Sequence, residues 1–237
     1  MISEITEYTK AGKAYIESKT KNQDFIYSEE NDKAAFFAIA DGVSAAKKGG
    51  EGAEIACKEA AKILLDSPDY YFSINPKNTI GVLINKLELK IKNEAKNNGL
   101  SEKDYASTLV FLLCDKQSEL IMMFCLGDSR IYEVDNIAAG QVCETKQHFG
   151  NAVCTTVSNT AEDEAVLSIR KARSGETFLL CTDGMWKTAE QDGLFNDPEI
   201  LLSSEKLRAY FDGREIDDDC SYITVTLKTE KKINEQR

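Results

Sequence analysis

The feature that most restricts this chain is a recurrence: apolar runs of strand length that end in an acid beside a glycine. Three have this form: FFAIADG with Asp41-Gly42, MMFCLGDS with Gly127-Asp128, and FLLCTDG with Asp183-Gly184. A fourth acidic site, IDDDCS, stands just before the last apolar run, and NQDFIY places Asp24 before an early strand. Asp-Gly is a common turn dipeptide, so any one of these sites alone reads as an ordinary turn. Five in one chain read differently. If the strands share sheets, their ends bring the acids to one rim, where unit charges about 4 Å apart repel by about 4 kcal/mol at an effective dielectric of about 20. Some carboxyls must then hold a proton, or cations must bind. An all-oxygen donor set without clustered His or Cys favours hard ions, Mg2+ or Mn2+, over zinc. Two such ions sharing one carboxylate can hold a hydroxide for in-line attack on phosphorus.

Periodicity sets the frame around these acids. Helices are expected over 51–66, where Ala53, Ala56, Ala60, Ile63 and Leu64 recur at helical spacing, and over 78–98, with a third over 198–210. Short apolar runs predict strands over 36–40, 108–114, 120–126, 177–181 and 222–227. Short polar turns such as 115–119 suit antiparallel pairing, and the grouping of strands and helices argues α+β rather than alternating α/β. With no repeat or Pro-rich linker, residues 1–237 are expected to form a single domain.

Composition excludes some partners. A formal net charge of −11 argues against nucleic acid or an anionic membrane surface. No run approaches the roughly 18 apolar residues of a membrane span, and the first thirteen residues are not a secretory signal, so a cytoplasmic location is expected. Seven cysteines without regular spacing fit reduced thiols, and Cys57, Cys114, Cys125 and Cys181 are expected in the core.

Taken in order, the segments NQDF, AIADGVSAAKKGGEGAE, YASTLVFLL, CLGDSRIYEV, GETFLLCTDGMW and DDCSYITVTL resemble the PPM/PP2C family of metal-dependent protein phosphatases, in its bacterial, minimal form. The resemblance runs from Asn22 to Leu227. It implies a four-layer α-β-β-α sandwich with two central antiparallel sheets and a metal site at one edge. It implies hydrolysis of phosphoserine or phosphothreonine by a water activated between two Mn2+ or Mg2+ ions. Asp41 would bridge the ions, the Gly42 carbonyl would ligate one, Asp183 and Asp218 would complete one site, and Asp24 would hold metal-bound waters. Asp128 resembles the residue serving a third, weaker metal in bacterial members. A phosphoprotein substrate, the target of an opposing Ser/Thr kinase, and a monomeric state follow as expectations from the same likeness.

Three positions depart from the family pattern. Lys19 stands where an Arg usually grips the substrate phosphate, and it offers a point charge in place of a bidentate fork. Gln23 replaces a frequent Glu, and Val43 replaces the His of animal members. The lone His148 reads as a solvated loop residue, and Trp186 as a packing residue. Cysteine-dependent phosphatase chemistry is excluded because no Cys has an Arg six positions on. The rival reading is a catalytically weak or inactive regulatory or scaffold module, supported by Lys19 and Gln23.

Overall fold

A computed structural model describes residues 1–18, 21–143, 157 and 164–228. The chain begins with β1 (Ile2–Lys10), α1 (Lys13–Ser18), β2 (Asp24–Glu30) and β3 (Ala34–Asp41). Three helices follow: α2 (Gly49–Asp66), α3 (Pro68–Ser73) and α4 (Pro76–Asn97). Next come β4 (Leu109–Asp115), β5 (Leu120–Leu126), β6 (Arg130–Val134), β7 (Ala139–Cys143), β8 (Val166–Lys171) and β9 (Thr177–Cys181). The chain closes with α5 (Asp183–Gln191), α6 (Pro198–Leu201), α7 (Ser204–Asp212) and β10 (Cys220–Leu227).

Two five-stranded antiparallel sheets result, ordered β1-β10-β9-β6-β7 and β2-β3-β4-β5-β8. Side chains alternate across a strand, so each central strand feeds two cores at once. In β3, Phe36, Ala38 and Ala40 pack under α2 and α4, while Phe37 and Ile39 face the other sheet. In β9, Phe178 and Leu180 enter the space between the sheets, and Leu179 and Cys181 pack against α5–α7. Three apolar layers therefore separate four structural ones, the α-β-β-α order expected from the resemblance. Burial on both faces explains why β3, β4 and β5 read as unbroken apolar runs rather than alternating ones.

The expected helices form with shifted limits. α2 begins two residues early, because the small Gly49-Gly50 start packs close to the turn after β3. The helix expected over 198–210 is two: α6 ends at Leu201, and Ser203 restarts the chain by accepting the Lys206 amide as the cap of α7. α5 was expected as a turn, and the Asp183-Gly184 pair instead opens a helix. Cys57, Cys114, Cys125 and Cys181 are buried free thiols, as the apolar runs around them required. Among the described residues no helix is long and apolar enough to cross a membrane.

Candidate metal-binding site

The site is built where the two sheets meet at one edge. On one side, Asp24 opens β2 directly opposite Asp41, which closes β3. Like charges facing each other across a ladder are unfavourable, so this register needs support from outside the pair. Thr108 supplies part of it. Its hydroxyl accepts the Asp41 amide at 2.8 Å, its amide donates to the Asp41 carbonyl at 2.8 Å, and its hydroxyl meets Ser129 Oγ at 2.7 Å. Gly42 then bridges to Ser107. A Cβ on Gly42 would lie 2.2 Å from the Gly49 carbonyl carbon, so glycine here lets the start of α2 press on the Asp41 turn.

The other sheet contributes two more segments. β9 ends at Cys181, and Thr182 leads directly into α5 with Asp183 as its first residue. The Thr182 hydroxyl donates to Asp24 Oδ2 at 2.8 Å and so ties one sheet to the other. The same oxygen accepts the Ser221 amide at 3.1 Å, which fixes β10 beside it. Committed in this way, Thr182 gives α5 no side-chain cap although it sits at the cap position. Asp218 accepts the Asp219 amide at 2.9 Å in the turn before β10. That turn touches α5, since a Cβ on Gly184 would fall 2.2 Å from the Asp219 carbonyl oxygen.

Asp219 itself points away to another duty. Its carboxylate accepts the Gly12 amide at 2.8 Å and the Gln23 amide at 2.7 Å, fixing the chain just ahead of Asp24. Asp128 lies in the turn between β5 and β6, where its carbonyl accepts the Trp186 indole N–H at 2.9 Å. Arg130 stacks 3.4 Å above the Trp186 ring and donates to Tyr132 and Glu190 at 2.9 and 2.5 Å. Trp186 is thus a packing and anchoring residue. Lys187, one turn along α5, donates to Asp183 Oδ2 at 2.6 Å.

Electrostatics at this edge are strained. Burial pushes the Asp24 carboxyl up to about 8; the charges of Asp219 and Asp183 add to it, and the Ser221 and Thr182 hydroxyls pull the other way. Asp41 is held well above the usual carboxylate range by burial and then by Asp24, Asp183, Asp128 and Asp218. Asp128 rises to about 6 through burial and Asp183, offset by Lys187 and Arg130. Asp218 and Asp219 are also raised, chiefly by burial. The acids therefore feel one another. Asp24 Oδ1 and Asp128 Oδ1 are buried and, among the described residues, have no hydrogen-bond partner. Buried polar atoms without partners are uncommon, and hard divalent cations are what all-oxygen groups of this kind accept. The residues present fit such ions in chemistry. As the side chains lie, no group of three or more acidic, Cys or His residues among those described is arranged to hold a metal.

Of the residues singled out from sequence, Asp24, Asp41, Gly42, Asp128, Asp183 and Asp218 come to this one edge. Lys19 and His148 lie outside the described residues, as do 151–156 and 158–163 in the stretch between Gly150 and Gly175. Three contributors were not legible beforehand. Thr182 is signalled only by its place before an Asp-Gly pair. Asp219 falls at the Asp/Asn position of the terminal motif beside Asp218, which does not show that it braces the chain ahead of Asp24. Lys187 becomes significant only once Asp183 is known to start a helix, because four positions on is then one turn away.

A search of the curated proteins finds no match. The family model described as protein phosphatase 2C matches residues 11–214. Among solved structures, the fold is similar to the catalytic domain of the serine/threonine protein phosphatase PstP in complex with two manganese ions, at TM-score 0.71 and 16% identity, covering 95% of this chain and 98% of that one. It is similar to the S. agalactiae serine/threonine phosphatase at TM-score 0.71 and 16% identity, covering 95% and 99%. PppA of Pseudomonas aeruginosa, described as a key regulatory component of T6SS, gives TM-score 0.68 and 20% identity, covering 95% and 98%. With a family model spanning most of its length and this two-sheet architecture, the chain belongs to the protein phosphatase 2C family.

Proposed function

We propose that this chain is a divalent-metal-dependent phosphatase acting on phosphoserine and phosphothreonine in proteins. The observation that carries the reading is the Asp24–Asp41 pair, locked across the sheets by Thr182 and left with an unpartnered buried carboxylate oxygen. Two Mn2+ or Mg2+ ions, with a third at Asp128, would supply Lewis acidity toward the phosphoryl oxygens and a water acidic enough to attack at neutral pH. Asp41 would hold both ions, the Gly42 carbonyl would ligate one, Asp183 and Asp218 would complete one site, and Asp24 would order water beside them.

The chain's own contribution is positioning. Thr108 fixes the backbone of Asp41 and Thr182 the carboxylate of Asp24, the Gly42 and Gly184 contacts hold α2 and α5 close to the turns beside them, and Asp219 holds the approach to Asp24. Lys19 keeps the phosphate-binding role implied by the family resemblance. PstP, solved with two manganese ions, supports the choice of cofactor. A phosphoprotein, made by a Ser/Thr kinase, is the corresponding substrate.

The test is Mn2+-dependent hydrolysis of p-nitrophenyl phosphate and of a phosphothreonine peptide. Turnover is expected, abolished by EDTA. Asp41→Asn is expected to lower it about a hundredfold or more, since outer-shell partners alone are worth about 10–100-fold. Mn2+ binding without turnover of either compound would favour the scaffold reading, to which Gln23 and the Lys187–Asp183 pair already lend support.

A further inference from the structure

Lys187 stands out as a cation inside a group of acids. Its ammonium is 2.6 Å from Asp183 Oδ2, and the Asp183 side chain is only 10% exposed while that of Lys187 is 48% exposed. The lysine therefore reaches from solvent onto a covered carboxylate. Its charge is also felt by Asp128 and Asp218, so it faces the same edge as the acids discussed above. An ordinary exposed i,i+4 pair on a helix would leave both heads in water. Here one oxygen of a site carboxylate is already occupied by a positive charge of the protein's own.

We propose that Lys187 is a tethered cation that competes with the divalent ion for Asp183 and so sets how tightly the site holds metal. This rests on the reading of Asp183 as a metal ligand. The ammonium neutralises part of the acidic edge when no metal is bound. Metal entry displaces it from Oδ2, and four carbons of flexible stem allow it to swing into solvent. Part of the attraction between metal and carboxylates is thereby spent on breaking the ion pair, and the remaining repulsion between ammonium and divalent ion lowers affinity further. Metal occupancy then follows metal supply more closely than it would at an edge without the lysine.

Titration calorimetry with Mn2+ alone, on the full chain, tests this. Lys187→Met is expected to lower the Kd on the order of tenfold, the scale of one unit charge a few ångström from a divalent ion in a water-like dielectric. Lys187→Gln should do the same, Lys187→Arg should stay near the unaltered chain, and added salt should narrow the difference. Equal or weaker Mn2+ binding by both uncharged variants overturns the proposal. Asp183→Asn separates the two layers of argument. Weakened binding there with no effect at Lys187 removes only this inference, whereas unchanged binding at Asp183→Asn removes the ligand assignment as well.

Discussion

Gly184→Ala would probe how closely α5 must approach the Asp218–Asp219 turn. An added Cβ would sit 2.2 Å from the Asp219 carbonyl oxygen and 3.3 Å from the Asp218 carbonyl carbon, both backbone atoms. Ordinary contact needs more than an ångström of extra room, and backbone cannot swing aside as a lysine tip can. Overpacking of this kind costs about 1–3 kcal/mol. For a chain of this size each kcal/mol shifts Tm by about 2–4 °C, so a loss of about 2–12 °C is expected. The displacement falls between Asp183 and Asp218, so Mn2+ affinity should weaken as well, and turnover should fall by about a hundredfold for a misplacement near 1 Å. Gly140→Ala serves as the comparison, because nothing lies within 4 Å of its added carbon. It should change stability by no more than about 0.5 kcal/mol. Thermal unfolding and Mn2+ calorimetry on both variants give the answer. A Gly184→Ala chain as stable and as metal-avid as the unaltered one would refute the argument that this contact sets the geometry.

Two further outcomes follow from the same edge. In EDTA, stability should be greater at pH 5 than at pH 8 by about 1–3 kcal/mol, measured by urea unfolding. The folded-state values of Asp24 and Asp128 are raised, to about 8 and about 6, so their favourable contribution is present below the ordinary carboxylate range and is lost as pH rises through those values. Mn2+ should reduce this slope, and a metal-free protein equally stable at both pH values would contradict the strained-edge account. Asp219→Ala should cost about 2–4 kcal/mol, because it strands the buried amide of Gly12 and the half-buried amide of Gln23, whereas Asp219→Asn keeps one acceptor oxygen and should cost about half. Equal losses for the two variants would mean that the carboxylate does not brace the chain through these bonds.

The central strands were readable because burial on both faces writes itself as uninterrupted apolar sequence, as in FFAIA and LVFLL. β1, β6, β7 and β8 were not. β1 carries Glu4, Thr6 and Glu7 among its few apolar positions, and in the partly covered β8 the apolar Val166, Leu167 and Ile169 are broken by Ser168 and followed by Arg170 and Lys171, so neither shows an unbroken apolar run. α5 was hidden by its own first two residues, since Asp-Gly is a turn signal and nothing local reveals that Thr182 has turned its hydroxyl toward another sheet. The acids were recognisable as a set through their recurrence at strand ends. Their supports were not, because Thr108, Thr182 and Asp219 act through partners 67, 158 and 207 residues away. Binary patterning has no access to such distances.

The bond from Thr182 to Asp24 has a consequence for how change elsewhere is felt. Oily contact between stacked sheets has no preferred direction, so the middle layer tolerates a small slide of one sheet over the other with little loss of cohesion. A hydrogen bond and a set of opposed carboxylates do not. Substitutions deep between Phe37, Leu112 and Phe178 can therefore leave the molecule as robust as before and still detune its chemistry, because the seam converts sliding into misalignment.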